Sequence, residues 1–78
     1  MRRCPCCGYL TIDDSQEVIT DICEVCFWQY DEVAHNTPHK NIGANEMSLD
    51  KAKMNYKSFG AVEKRYLSMV RMPYEDEV

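Results

Sequence analysis

Two cysteine pairs limit what this chain can fold into more than any other feature: Cys4 and Cys7 within Cys4-Pro5-Cys6-Cys7-Gly8-Tyr9, and Cys23 and Cys26 within Cys23-Glu24-Val25-Cys26. A C-x2-C turn presents two sulfurs from one tight loop, and two such turns in one small chain form the ligand pattern of a four-thiolate metal site. Pro5, which fixes one φ angle, and Gly8, which permits a positive one, suit the first turn. At 78 residues the chain is one small domain. A core of that size seldom supplies more than about 3 to 5 kcal/mol alone, so a metal is the expected staple.

Zinc is the expected ion, since it takes four soft ligands in a closed tetrahedron; iron in a rubredoxin-like site would use the same Cys4, Cys7, Cys23 and Cys26. A closed set leaves no position for water or substrate, so the metal reads as structural and the chain as no enzyme. No serine-histidine-aspartate set, phosphate-cradling glycine loop or paired-carboxylate motif offers other chemistry. Arg2 and Arg3, next to Cys4, either offset the charge of the thiolates or are simply solvated. Cys6 is a surplus thiol with three readings. It can replace Cys4 or Cys7 as a ligand, sit beside the metal as a reactive group, or point into an interface as a small apolar residue, the commoner fate. Five cysteines, an odd number, fit a disulfide framework poorly. With no apolar run resembling a signal peptide or a membrane span, the expected location is the reducing cytoplasm.

The expected fold is a small metal-stabilised α+β domain, a zinc-ribbon or rubredoxin-like β-hairpin with one or two C-terminal helices. Tyr9–Ile12 reads as a strand leaving the first pair, Asp13–Gln16 as a turn, and Glu17–Ile22, rich in β-branched residues, as the return strand that delivers Cys23. Phe27-Trp28 should shield the metal from water. Asp31–Asn45 loses periodicity and reads as a loop of about fifteen residues, long for a compact domain and so ordered by the site or functional. Within it His35 and His39 would make a second metal site only if the loop were helical, which Pro38 opposes. Ser48 caps a helix with Asp50 in its first turn and Leu49, Ala52, Tyr56 and Phe59 on one apolar stripe, ended by Gly60. A second short helix is expected over Val62–Val70, stopped by Pro73. The domain thus spans residues 1–73, and 74–78 form an acidic, flexible tail.

Charge is uneven. Residues 1–35 hold Arg2 and Arg3 against seven carboxylates, whereas residues 48–72 hold six cations against Asp50 and Glu63. The formal net charge is −4, and four thiolates with one divalent ion would add two further negative charges, which disfavours a general coat for nucleic acid. Lys51, Lys53, Lys57, Lys64 and Arg65, with Arg71, remain a candidate surface for an acidic protein or a phosphate backbone, and are otherwise a solvated face.

Cys4-Pro5-Cys6-Cys7-Gly8-Tyr9, Ile22-Cys23-Glu24-Val25-Cys26-Phe27-Trp28, Gly43-Ala44-Asn45 with Ser48-Leu49, and Asn55-Tyr56 with Phe59-Gly60-Ala61 together resemble the bacterial cysteine-rich CPCC family, from Cys4 to about Pro73. The resemblance implies zinc binding. The hydrolase label carried by some relatives has no catalytic motif behind it in this chain. Glu24 stands where the family commonly has proline, without changing the cysteine spacing, and Ile42 where a glycine is frequent, which stiffens the loop. The expectation is therefore a protein-interaction module. Nucleic-acid binding through Lys51, Lys53, Lys57 and the second helix is the alternative, and an immunity or antitoxin protein is a special case of the first reading.

Overall fold

The computed structural model describes residues 1–78. Strand β1 (Arg2–Arg3) pairs antiparallel with β2 (Leu10–Ile12), with Arg2 opposite Ile12, Arg3 opposite Leu10 and a bulge between. The chain reverses because the first cysteine turn is itself a hairpin turn: Cys4 N–H donates to the Tyr9 carbonyl (2.8 Å) and Gly8 N–H to the Cys4 carbonyl (2.8 Å). The second turn repeats the pattern residue for residue. Cys23 N–H donates to the Trp28 carbonyl and Phe27 N–H to the Cys23 carbonyl, each at 2.8 Å. Its arms meet through a single bridge between Ile22 and Gln29, and Tyr30 N–H bonds the Asp21 carbonyl.

The expected pairing of Tyr9–Ile12 with Glu17–Ile22 does not form, although a two-stranded antiparallel hairpin does. The residues preceding the first turn already occupy the hydrogen-bonding edge of β2. Residues 17–22 contain no strand, and Val18 stays 74% exposed because no apolar layer lies over it. Side chains close this loop instead, with Asp13 N–H on Asp21 Oδ2 (2.8 Å) and Ser15 N–H on Asp13 Oδ1 (2.9 Å).

Residues 31–45, expected as plain loop, begin with helix α1 (Glu32–Asn36). Asp31 caps it. Its Oδ1 accepts from Val33 N–H (2.9 Å) and Ala34 N–H (3.3 Å), and its Oδ2 accepts from Ala44 N–H (2.7 Å), so one carboxylate pins both ends of the loop. Gly43 makes this approach possible: its φ is +98°, and a Cβ at that position would overlap the Asp31 carboxylate. Asn45 then binds the second cysteine turn's exit arm reciprocally, accepting from Gln29 N–H (3.0 Å) and donating to the Gln29 carbonyl (2.9 Å) as a strand neighbour would.

Helix α2 (Leu49–Phe59) follows the sequence closely: Ser48 Oγ accepts from Lys51 N–H (3.1 Å), and Gly60 N–H closes the far end on the Tyr56 carbonyl (2.9 Å). Leu49 and Ala52 are buried while Tyr56 and Phe59 are half-buried, the stripe the spacing predicts. Beyond it the second helix over Val62–Val70 is absent and only a 3-10 turn, Lys64–Tyr66, appears. Val62 N–H is taken by the Cys26 carbonyl (2.9 Å) and Glu63 is extended, so this segment crosses the second cysteine turn as an irregular strap. Asn55 Nδ2, on the Val62 carbonyl (2.8 Å), ties the strap to α2.

Only 13 residues are buried, and three of them are Cys4, Cys23 and Cys26 packed with Ile12, Val25, Trp28, Leu49, Ala52 and Val62. The cysteines are therefore the centre of the core. At the C-terminus the segment expected as a flexible tail makes a 3-10 turn, Glu75–Glu77. Arg71 grips it: Nη1 and Nη2 bond the two Glu77 oxygens (2.7 and 2.9 Å), Nε and Nη2 reach Glu24 Oε2 (3.3 and 3.1 Å), and the guanidinium lies 3.9 Å over the Tyr74 ring.

Two outcomes follow from these local devices. Gly43→Ala lowers unfolding free energy by on the order of 3 kcal/mol, whereas Gly8→Ala, where a Cβ meets nothing, costs only the left-handed backbone term of about 1 to 2 kcal/mol; denaturant titration of both variants checks the difference. Arg71 holds the Glu77 carboxyl below the ordinary glutamate value of 4.5, so the stabilisation from docking this turn is present above that pH and is lost as pH falls below it. Amide signals of residues 75–78 should titrate with a midpoint under 4.5 in the native chain and nearer to it in Arg71→Gln.

Candidate metal centre

The two cysteine turns face each other so that each closest sulfur pair joins one turn to the other: Cys4 to Cys26 at 3.5 Å and Cys7 to Cys23 at 3.6 Å. All four Sγ atoms lie within 4.8 Å of one another. Four thiolates at about 2.3 Å from a common ion would stand about 3.8 Å apart, so donor type, number and spacing all fit a tetrahedral soft-metal site. Three of the sulfurs belong to buried residues and Cys7 to a half-buried one.

The electrostatics point the same way. Hydrogen bonding to Cys26, then to Cys4, Cys7 and Thr11, drives the Cys23 thiol far below its ordinary range, while contact with Cys23, then with Cys4, drives Cys26 far above. Cys4 is likewise raised, chiefly through Cys23. For Cys7 the Cys23 contact acts upward, but Cys26, Cys4 and the backbone at Tyr9 outweigh it and lower the thiol. Four thiols this close cannot all ionise unaided, so some of them hold protons. A divalent cation removes that conflict, and its binding must release the remaining protons.

Sequence reasoning missed Thr11. It is the one buried residue of polar type, and its hydroxyl lies 2.9 Å from Cys23 Sγ, within hydrogen-bond reach of the sulfur. Its position in a strand of alternating residues gave no sign of this, because the residue only reaches Cys23 once β2 pairs with β1. The aromatic pair packs at the cysteine core: Trp28 is fully buried in it, and half-buried Phe27 stacks on Tyr66 with ring centres 4.4 Å apart. Nothing in the structure explains why the Trp28 indole N–H has no partner.

Cys6 lies outside the cluster, half-buried in a groove of about 620 Å³ that it shares with Cys7, Asp50, Lys53, Met54, Tyr56 and Lys57. Tyr56 there is pushed up to about 12 by burial first and then by the negative charge of Cys7 and its neighbours, so it stays a neutral phenol at physiological pH. Arg2 and Arg3 bond no sulfur. Arg3 donates to the Gly8 carbonyl (2.9 Å), and Arg2 to the Tyr30 hydroxyl (2.7 Å). His35 stacks on Tyr30 and His39 is exposed, and neither joins a cluster of metal-ligating groups. The candidate basic surface is divided: Lys51, Lys53 and Lys57 are exposed on α2, Lys64 sits 5.7 Å over the Phe59 ring, and Arg65 is already paired with Glu46 and Glu63.

A family model described as Cysteine-rich CPCC matches residues 2–77. No curated protein and no solved structure matches the chain.

Metal analysis of purified variants tests these assignments. Cys6→Ser should retain one metal per chain, Cys23→Ser should lose it, and Thr11→Val should bind about 10-fold more weakly because the Cys23 thiolate loses its hydroxyl donor. Retention of full affinity in Thr11→Val would remove Thr11 from the centre.

Proposed function

Because the chain belongs to the cysteine-rich CPCC family and builds its core around four clustered thiols, we propose that it is a small zinc-binding protein-interaction module whose metal is structural. The closed thiolate set carries this reading: four soft donors from two matched turns leave no coordination position for water or substrate, and of the two metals that take such a set we favour zinc over iron. Two cysteine turns facing one another, with a helix packed beside them, correspond to a zinc-ribbon-like arrangement. No helix is long and apolar enough to cross a membrane. Five free cysteines suit a reducing cytoplasm, where such thiols remain available to metal.

The partner we favour is a protein. A nucleic-acid interface needs a broad unpaired basic surface, whereas Arg65 and Arg71 are each held by two carboxylates, which leaves it only the lysines, and the net charge is negative. An immunity or antitoxin role is one form of the protein-binding reading, since an acidic chain complements a basic toxin. We assign no catalytic activity: the four clustered thiols suit a metal ion with no open position, and the sequence carries no recognisable catalytic set.

Chelation under reducing conditions tests the structural role of the metal. The expected outcome is loss of the cooperative melt and of dispersed amide signals, both restored by zinc, because metal-binding free energy in such modules, about 10 to 16 kcal/mol, is folding free energy. An apo protein that still melts cooperatively overturns that role. Tight, salt-dependent binding of RNA or DNA, weakened by neutralising Lys51, Lys53 and Lys57, would displace the protein partner in favour of nucleic acid.

A further inference from the structure

The groove between the first cysteine turn and α2 combines features found together nowhere else on the surface. Its floor is Cys6 and Cys7, and its α2 wall carries Met54, 64% exposed, with the half-buried ring of Tyr56 behind. Methionine is an adaptable contact surface, able to repack around varied apolar side chains. Lys53 and Lys57 line the same wall one helical turn apart, so their stems stand about 5 to 6 Å from each other.

The charges in the groove are unspent. Arg2 and the N-terminal amine are paired with Asp14, Arg65 with Glu46 and Glu63, and Arg71 with Glu24 and Glu77. Lys53 and Lys57 have no carboxylate within ion-pair distance and bond no sulfur. Asp50 lines the groove too, but it lies in the first turn of α2, where its charge suits the helix dipole.

Resting on the interaction-module reading above, we propose that this groove is the docking site, and that its occupant is a partner-protein segment presenting an apolar side chain flanked by carboxylates. The apolar side chain lies against Met54 and Tyr56, and two carboxylates a few ångströms apart reach Lys53 and Lys57. A purely acidic segment leaves the apolar wall wet, and a purely apolar one leaves the lysines without partners. The combination fits both.

The test uses the zinc-loaded full chain, isotope-labelled, and an eight-residue peptide alternating glutamate with leucine and phenylalanine. Two control peptides carry lysine for glutamate, or serine for the apolar residues. The expected result is saturable amide shifts confined to residues 6, 7, 53, 54, 56 and 57, binding at least about 10-fold weaker in K53E/K57E, unchanged within about 2-fold in K64Q, and at least about 5-fold weaker for either control peptide. Shifts centred elsewhere, or equal affinity in K53E/K57E, overturn the proposal. So do concentration-dependent shifts at these residues without peptide, which would make a second copy of this chain, through its acidic Asp13–Val18 loop, the occupant. Capture from native cells separates the two levels of inference: the same partner recovered by native and K53E/K57E protein refutes the groove alone, and no partner with either refutes the module as well.

Discussion

Four sulfurs drawn within 4.8 Å of one another are the constraint on which the rest of this structure depends. Three belong to buried residues, and burying thiolates without a counter-charge is costly, so the core is stable only when the cluster is neutralised by a cation or by protons. Both turns solve the same backbone problem with the same hydrogen bonds, and both need a left-handed residue directly after their second cysteine. Gly8 (φ +83°) meets that need without cost, whereas Phe27 (φ +72°) bears about 1 to 2 kcal/mol of strain. Its stacking on Tyr66 offsets part of that and draws the C-terminal strap over the second turn. Strain at the metal turn and closure of the strap are thus one interaction viewed from two sides.

With so little regular structure, side chains do the work that ladders do in larger domains. Of 30 backbone–backbone hydrogen bonds, 18 lie outside helices and strands, which makes turns and caps the main scaffold. Asp31 joins the start of α1 to Ala44, Asn45 imitates a strand neighbour for Gln29, Asn55 ties α2 to the strap, and Arg71 links Glu24 of the second turn to Glu77 of the tail. Glu24 serves twice: its carboxylate receives the Arg71 guanidinium, and its carbonyl accepts Arg71 N–H at 3.1 Å. Asp31 closes a loop on itself, and the other three bind a loop to a cysteine turn or to the helix beside it.

These connections explain how much could be read in advance. The cysteine pattern and α2 were legible because their signals are local: ligand spacing for the one, and a cap, an apolar stripe and a terminal glycine for the other. Strand pairing was not, because β-branched residues at Val18, Ile19 and Ile22 state a propensity without naming a partner, and β1 had already taken the edge of β2. The missing second helix has a similar cause. Val62 spends its N–H on Cys26, an interaction that exists only after the turns have come together. Thr11 and Asn45 belong to the same class, polar residues whose roles depend on neighbours distant in sequence.

The distribution of paired and unpaired charge separates what holds the fold from what the fold displays. Arg65 and Arg71 are spent on Glu24, Glu46, Glu63 and Glu77, where each planar guanidinium spans two carboxylates. The lysines of α2 hold no segment together: they stand on the solvent side of a helix whose buried side is fixed by Leu49 and Ala52. Replacing them should therefore have little effect on stability, since surface charges away from structural networks contribute little to folding. The cysteine core that fixes α2 beside the first cysteine turn also fixes the spacing between those lysines and the apolar groove. An ion held by the four thiols would set the geometry of that surface from beneath without occupying it.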